Sequence, residues 1–288
     1  MSINALLIAA HGDNFVIGGS GTFAKWNKLS EKTKFTSIAT GDVGSFTASG
    51  GELARLRKEE MIKCGDIIGT PSEVWNVHDC EIMYTLELRT KCLEEIRKFG
   101  ADIVITSRGC EYNADCRTTG QLVTDACTMA ILPNHAMLTP PLKKTPILLY
   151  KWDNVKHPVP FRADIVVSVD DVIEQIVDAA IAHESMAYEW IPKLTNNGEY
   201  AYYSSDACIN SSYCYGEVAD MSGSEKRDWY AKTQMYPFFE NIANIYRKEL
   251  IQKYGHKKGS AIKYAEAFEI ALSCRIPTKD EIDKMFPF

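Results

Sequence analysis

Over the first 170 residues or so, short apolar runs alternate with stretches whose apolar residues recur at helical spacing. The runs lie at 5–10, 35–40, 73–77, 102–106, 146–150 and 163–169. Several are continuous and rich in β-branched residues, as strands covered on both faces are. Between them, 51–65 and 83–99 carry apolar residues on one helical face and charges on the other. This alternation predicts an α/β fold, a mostly parallel sheet with helices on both faces. The remainder reads differently. Residues 170–190 predict one long helix opened by Asp170 and Asp171, 196–223 predict an irregular loop, and 240–254 and 260–271 return to helical character. With no internal repeat and no linker, the expectation is one domain over 1–288, an α/β core at 1–170 followed by a C-terminal helical and loop extension at 171–288.

Composition narrows the function classes. The net charge is −6 and no Lys/Arg run is long enough to track a phosphate backbone, which argues against nucleic acid as a partner. No stretch approaches the ~20 apolar residues of a membrane span, and the N-terminal apolar run is too short and lacks the basic start of a signal peptide. Nine cysteines in irregular spacings, with no CxxC pair, read as reduced thiols of a cytoplasmic protein.

In a doubly wound sheet, ligands bind outside the carboxyl ends of the strands. That rule turns the strand pattern into a site map. The first strand runs into His11-Gly12-Asp13-Asn14, the second ends at Thr40-Gly41-Asp42, the third at His78-Asp79, and the fourth leads into Ser107 through Arg117, including Asn113, Asp115 and Cys116. Imidazole, carboxylates, amides and thiols thus converge on one edge, a pocket hypothesis. Each has a plainer reading too: Asp13 or Asn14 as a helix cap, Arg57 on a solvated helix face, Asp79 as a loop cap, Arg117 paired with Asp115 or another carboxylate. Gly18-Gly19-Ser20-Gly21 lacks the spacing and the Lys-Ser/Thr of a phosphate loop, so close packing of helix on strand is its reading. His135, His157 and His256 fall near loops or helix ends as surface or structural residues.

The order and spacing of these segments resemble the LmbE-like (PIG-L) zinc N-deacetylases. The family's A-H-P-D-D is matched by Ala10-His11-Gly12-Asp13-Asn14 and its glycine-rich helix start by Gly19-Ser20-Gly21-Thr22-Phe23-Ala24. T-x-G-D/E is matched by Thr40-Gly41-Asp42, R-x-x-E by Arg57-Lys58-Glu59-Glu60, and the acidic residue after the third strand by Asp79. The loop D-Y-H-P-D-H-R-x-T-G corresponds to Glu111-Tyr112-Asn113-Ala114-Asp115-Cys116-Arg117-Thr118-Thr119-Gly120. The resemblance spans nearly the whole chain and implies a Rossmann-like fold and hydrolysis of the amide of an N-acetyl sugar or related small molecule.

Carried over by position, the resemblance places a zinc or other divalent metal on His11, Asn14 and Cys116. It makes Asp13 the general base and Asn113 the oxyanion helper, and it puts Asp42, Arg57, Asp79 and Arg117 with the substrate. His183 resembles a family position near the site, and a hydrogen-bonded core histidine is its plainer reading. Three of these positions depart from the family: Asn14 replaces an aspartate, and Asn113 and Cys116 replace histidines. An amide oxygen is a poorer zinc ligand than a carboxylate, whereas a thiolate binds zinc well. The ligand charge is nonetheless conserved, because His, Asp, His and His, Asn, Cys-thiolate each carry one negative charge. Three readings stay open: an altered metallohydrolase, a catalytically inactive scaffold that keeps a small-molecule or glycan pocket, and thiol chemistry at Cys116. Expected partners are a small-molecule or glycan ligand and, in a homo-oligomer, further copies of the chain.

Overall fold

The computed structural model describes residues 3–192 and 215–288. Seven strands form one sheet in the order β3-β2-β1-β4-β5-β7-β6: β1 Asn4–Ala9, β2 Lys32–Ala39, β3 Ser72–Val77, β4 Ile103–Thr106, β5 Ile147–Lys151, β6 Ile165–Ser168 and β7 Ala265–Ile270. The first five pair in parallel, with Leu7 of β1 opposite Phe35 of β2 and Ile105 of β4. The six expected strands all form. β1 is flanked on both sides and both its faces are buried: Leu6 and Ile8 point into one core, Leu7 and Ala9 into the other.

Helices α1 Asn14–Lys28, α2 Gly50–Ile68 and α5 Ile173–Ile181 cover one face, and α3 Leu86–Phe99 and α4 Ala114–Met129 cover the other. Among the described residues, six short helices, 215–220, 223–230, 236–245, 247–254, 256–261 and 279–285, and a π-helical turn at 231–235 complete the C-terminal part. Among the described residues no helix is long and apolar enough to cross a membrane. Seven cysteines, Cys64, Cys80, Cys92, Cys110, Cys116, Cys127 and Cys274, are free thiols; Cys208 and Cys214 lie outside the described residues.

Three expectations for the C-terminal part need correction. Residues 260–271 do not form a helix; their second half is β7, an antiparallel strand inserted between β5 and β6. Ala and Glu favour helix locally, but that preference is weak beside burial between two strands. The buried Glu266 explains the strand further. Helix α1 is interrupted at Gly19 (φ 145°), and the freed N–H groups of Gly21 and Thr22 donate to the two Glu266 carboxylate oxygens at 2.8 Å each, with the Thr22 hydroxyl at 2.5 Å. The glycine segment packs as expected, since a Cβ on Gly21 would sit 2.6 Å from Val169.

The helix expected over 170–190 is broken. It stops after Ile181, and Ser185–Trp190 winds as a π-helix. At the break, Ser185 gives its N–H and its hydroxyl to the buried Glu60 of α2, both at 2.7 Å, diverting one helical donor from the ladder. Of the loop expected at 196–223, residues 215–220 are helical and 193–214 lie outside the described residues.

Candidate functional site

The crossover from β1 to α1 carries the first site residues to the carboxyl edge of the sheet, beside the β4–α4 connection. The N–H groups of Asn14, Phe15 and Val16 bond back to the carbonyls of His11, Gly12 and Asp13, so the turn is closed by backbone alone. Asp13 occupies the N-cap position but makes no capping bond. Its carboxylate therefore faces a cavity of about 820 Å³ that His11, Asn14, Asn113, Cys116, Arg57 and Asp79 also line.

His11 is held from two sides. Its Nε2 lies 2.9 Å from Asp79 Oδ1 and 3.3 Å from Asp115 Oδ2. Asp115 is anchored in turn, accepting the N–H of Cys80 at 2.8 Å and that of Ile82 at 3.2 Å, while Asp79 accepts the Cys80 N–H at 3.0 Å. Burial alone would depress the His11 pKa, but the Asp115 and Asp79 carboxylates outweigh it and hold the imidazole well above its ordinary value. The same contact keeps Asp79 below the usual carboxylate range despite burial.

The opposite nitrogen, Nδ1, points at Cys116 Sγ, 4.0 Å away, and Cys116 Sγ lies 3.3 Å from Asn14 Oδ1. Cys116 Sγ is thus near both the imidazole and the amide oxygen, with Asn14 and Cys116 both buried. Burial pushes the Cys116 thiol up, opposed by the nearby His11 ring and the Lys151 charge.

Two donor sets are present, one on each side of the same ring. His11 Nε2, Asp79 and Asp115 lie close enough together to hold a cation. Asp115, however, already has both oxygens occupied by backbone N–H groups and Asp79 has one, which marks them as braces of the ring. A carboxylate on one imidazole nitrogen fixes the proton there and leaves the other nitrogen to act as the ligand. The set His11 Nδ1, Asn14 and Cys116 offers a nitrogen, an oxygen and a sulfur, a donor chemistry compatible with zinc.

The other expected residues divide. Asn113 caps α4 through Oδ1, which accepts the Cys116 N–H at 3.0 Å, leaving its amide N–H₂ on the cavity wall. Arg57 is buried, not solvated; it donates to the Gly44 carbonyl at 2.7 Å, and its Nε has no partner. Asp79 reaches the cavity but is committed to His11. Asp42 does not line it: its carboxylate takes the Asp79 N–H at 3.0 Å and the His78 ring at 2.7 Å, bonds that hold it below its usual pKa against the effect of burial. Nor does Arg117, which donates to the carbonyls of Glu111 and Tyr112 at 2.8 and 3.1 Å and straps that loop; it does not pair with Asp115.

His183 enters from the break after α5. It is buried, its Nε2 has no partner, and burial pushes its pKa down to about 4. The remaining wall is apolar and aromatic: Phe46 stacks near Trp190 with centroids 5.0 Å apart, and Trp152 meets Phe238 edge-on at 5.4 Å. Sequence reasoning did not assign Asp115 to His11, nor did it find Lys151. For Asp115 the available signal was its place beside Cys116 in the first turn of α4.

Comparison with known proteins bears on the fold and on its N-terminal part. The PIG-L family model, described as GlcNAc-PI de-N-acetylase, matches residues 6–127. No curated protein matches the chain. Among solved structures, the chain resembles an N,N'-diacetylchitobiose deacetylase from Pyrococcus horikoshii (TM-score 0.66, 20% identity, covering 96% of this chain and 88% of that one). It also resembles GalB, the 4-carboxy-2-hydroxymuconate hydratase from Pseudomonas putida (TM-score 0.68, 14% identity, 97% and 99%). A third likeness is the conserved protein TT1542 from Thermus thermophilus (TM-score 0.63, 17% identity, 96% and 97%). At these identities the likeness is one of fold.

Proposed function

Since residues 6–127 match the PIG-L (LmbE-like) family model, we propose that the chain is an N-deacetylase-like amide hydrolase acting on an N-acetyl sugar or a related small molecule, with an altered cation site at His11, Asn14 and Cys116. The observation that carries this reading is the two-sided setting of His11: carboxylates fix Nε2, and Nδ1 faces Cys116 next to Asn14. A divalent cation held there supplies Lewis acidity, polarising an acyl oxygen and making water a stronger acid.

The chain's own groups then have defined tasks. Asp13, free of capping duty, takes the proton of the water that attacks the amide carbon. When the C–N bond breaks, the same carboxyl returns the proton to the leaving nitrogen, so acetate and an amine are released. Asn113 donates its amide N–H to the developing oxyanion, a role its cap geometry leaves open because only Oδ1 is engaged. Arg57, Trp152 and the aromatic rim orient the rest of the substrate.

A second reading also has an observation in its favour. The Cys116 thiol is raised by burial and lies within hydrogen-bonding distance of Asn14 Oδ1, a closed thiol–amide pair that needs no metal. On that basis the chain is an inactive scaffold with a ligand pocket. Elemental analysis of the purified protein, followed by turnover of N-acetyl amino sugars with and without added zinc, separates the two. The hydrolase reading requires bound zinc or zinc-restored turnover that an Asp13→Asn variant abolishes; if zinc neither binds nor restores turnover, the scaffold reading stands.

A further inference from the structure

Strand β5 carries Ile147 and Leu149 into one core, and the next residue on that face is Lys151. Alternation reserves the position for a buried apolar side chain, and Lys151 is indeed only 5% exposed. Lysine is almost never buried to this degree without a partner. Its stem runs alongside Gly18 of α1, where a Cβ would stand 3.0 Å from Lys151 Cδ, so the glycine leaves space for the lysine to extend. Lys151 lines the cavity, and its charge acts on Cys116.

The carboxylates on the same wall leave this ammonium unpaired. Asp153 is bound by Arg108 through Nε at 2.8 Å and Nη2 at 2.5 Å. Asp79 holds His11, and Glu111 accepts the N–H of Tyr112 at 2.8 Å. Among the described residues, no carboxylate forms an ion pair with Lys151, Asp13 included. A buried cation without a counter-charge is costly unless something with the opposite charge enters. Beside it, Trp152 and Phe238 form an apolar corner of the same cavity, both nine-tenths buried.

We propose that Lys151 is a specificity-determining residue that pairs with a carboxylate on the ligand, so that the cavity takes N-acyl compounds carrying a carboxylate and an apolar body lying against Trp152 and Phe238. The N-acyl part rests on the hydrolase reading above; the carboxylate does not. One ammonium matches a single negative charge.

The test measures binding, not turnover, so it is independent of whether the chain hydrolyses anything. Full-length protein is titrated calorimetrically with N-acetylphenylalanine and with its neutral isostere N-acetylphenylalaninamide, both with added zinc and after chelation. The acid is expected to bind at least about tenfold more tightly than the amide in either state, a difference of about 1.4 kcal/mol. Lys151→Met should remove the preference, and Lys151→Arg should keep part of it. Equal binding of the two probes, no saturable binding of either, or a preference that persists in K151M would overturn the proposal. A clear preference in a protein with no zinc and no turnover would uphold it while removing the hydrolase reading.

Discussion

His11 Nε2 lies 2.9 Å from Asp79 Oδ1, so the ring of the first motif is fixed by the loop after β3 before it offers Nδ1 to Cys116. This pairing gives Asp79 a part in bracing the histidine. An Asp79→Asn variant keeps the shape but loses the charge that sets the ring's proton. It should weaken zinc binding about 10- to 100-fold, as loss of a ligand-orienting carboxylate does. Competition with a chromophoric chelator measures this. Unchanged affinity would show that Asp79 does not act through His11.

Of the three donors proposed to hold the cation, the weakest is the amide oxygen of Asn14. Asn14→Asp substitutes a carboxylate in nearly the same volume, and hard anionic oxygen binds divalent zinc better than a neutral amide. N14D is expected to gain about an order of magnitude or more in zinc affinity, and Cys116→Ala to lose a comparable amount. The two are read by the same chelator competition. If N14D gains nothing, Asn14 does not face the ion.

How much of this was legible in the sequence depends on the range of the contacts involved. The six strands of the first 170 residues and the convergence of His11, Asn14, Asn113 and Cys116 follow from apolar runs and from the rule that sites lie at strand ends. Lys151 drew no reading from the sequence, because it falls one residue past the expected apolar run at 146–150. Asp42 and Arg117 sit in the expected loops, but loop position does not reveal that one side chain turns to His78 and the other to backbone carbonyls. The β7 strand was hidden by helix-favouring Ala and Glu, since its pairing with β5 and β6 spans about a hundred residues of chain.

Glu266 provides a stability test of that long-range pairing. It is fully buried, and burial raises its pKa even though Thr22 and Gly21 donate to it. Glu266→Ala would leave the Gly21 and Thr22 N–H groups without acceptors inside the core. Each orphaned group costs on the order of 1–3 kcal/mol, so a total loss of about 2–6 kcal/mol is expected. Urea denaturation followed by circular dichroism measures it. A loss below about 1 kcal/mol would show that α1 closes its own break.

His183 sets a pH dependence whose direction is fixed by its burial. Its folded-state pKa is pushed down to about 4 by desolvation, a loss that the charge of Asp13 only partly offsets, whereas in the unfolded chain it titrates near the ordinary value of 6.5. Between those values the unfolded state takes up a proton that the folded state refuses. The stabilising contribution is therefore complete above about pH 6.5 and is lost as the pH falls toward 4. A shift of this size corresponds to on the order of 3 kcal/mol across the window. His183→Leu removes the titrating group, so its unfolding free energy should fall less than that of the wild type between pH 7 and pH 5. Denaturant titrations at the two pH values give the comparison. Parallel losses in both proteins would mean that His183 is already paired or hydrated when folded.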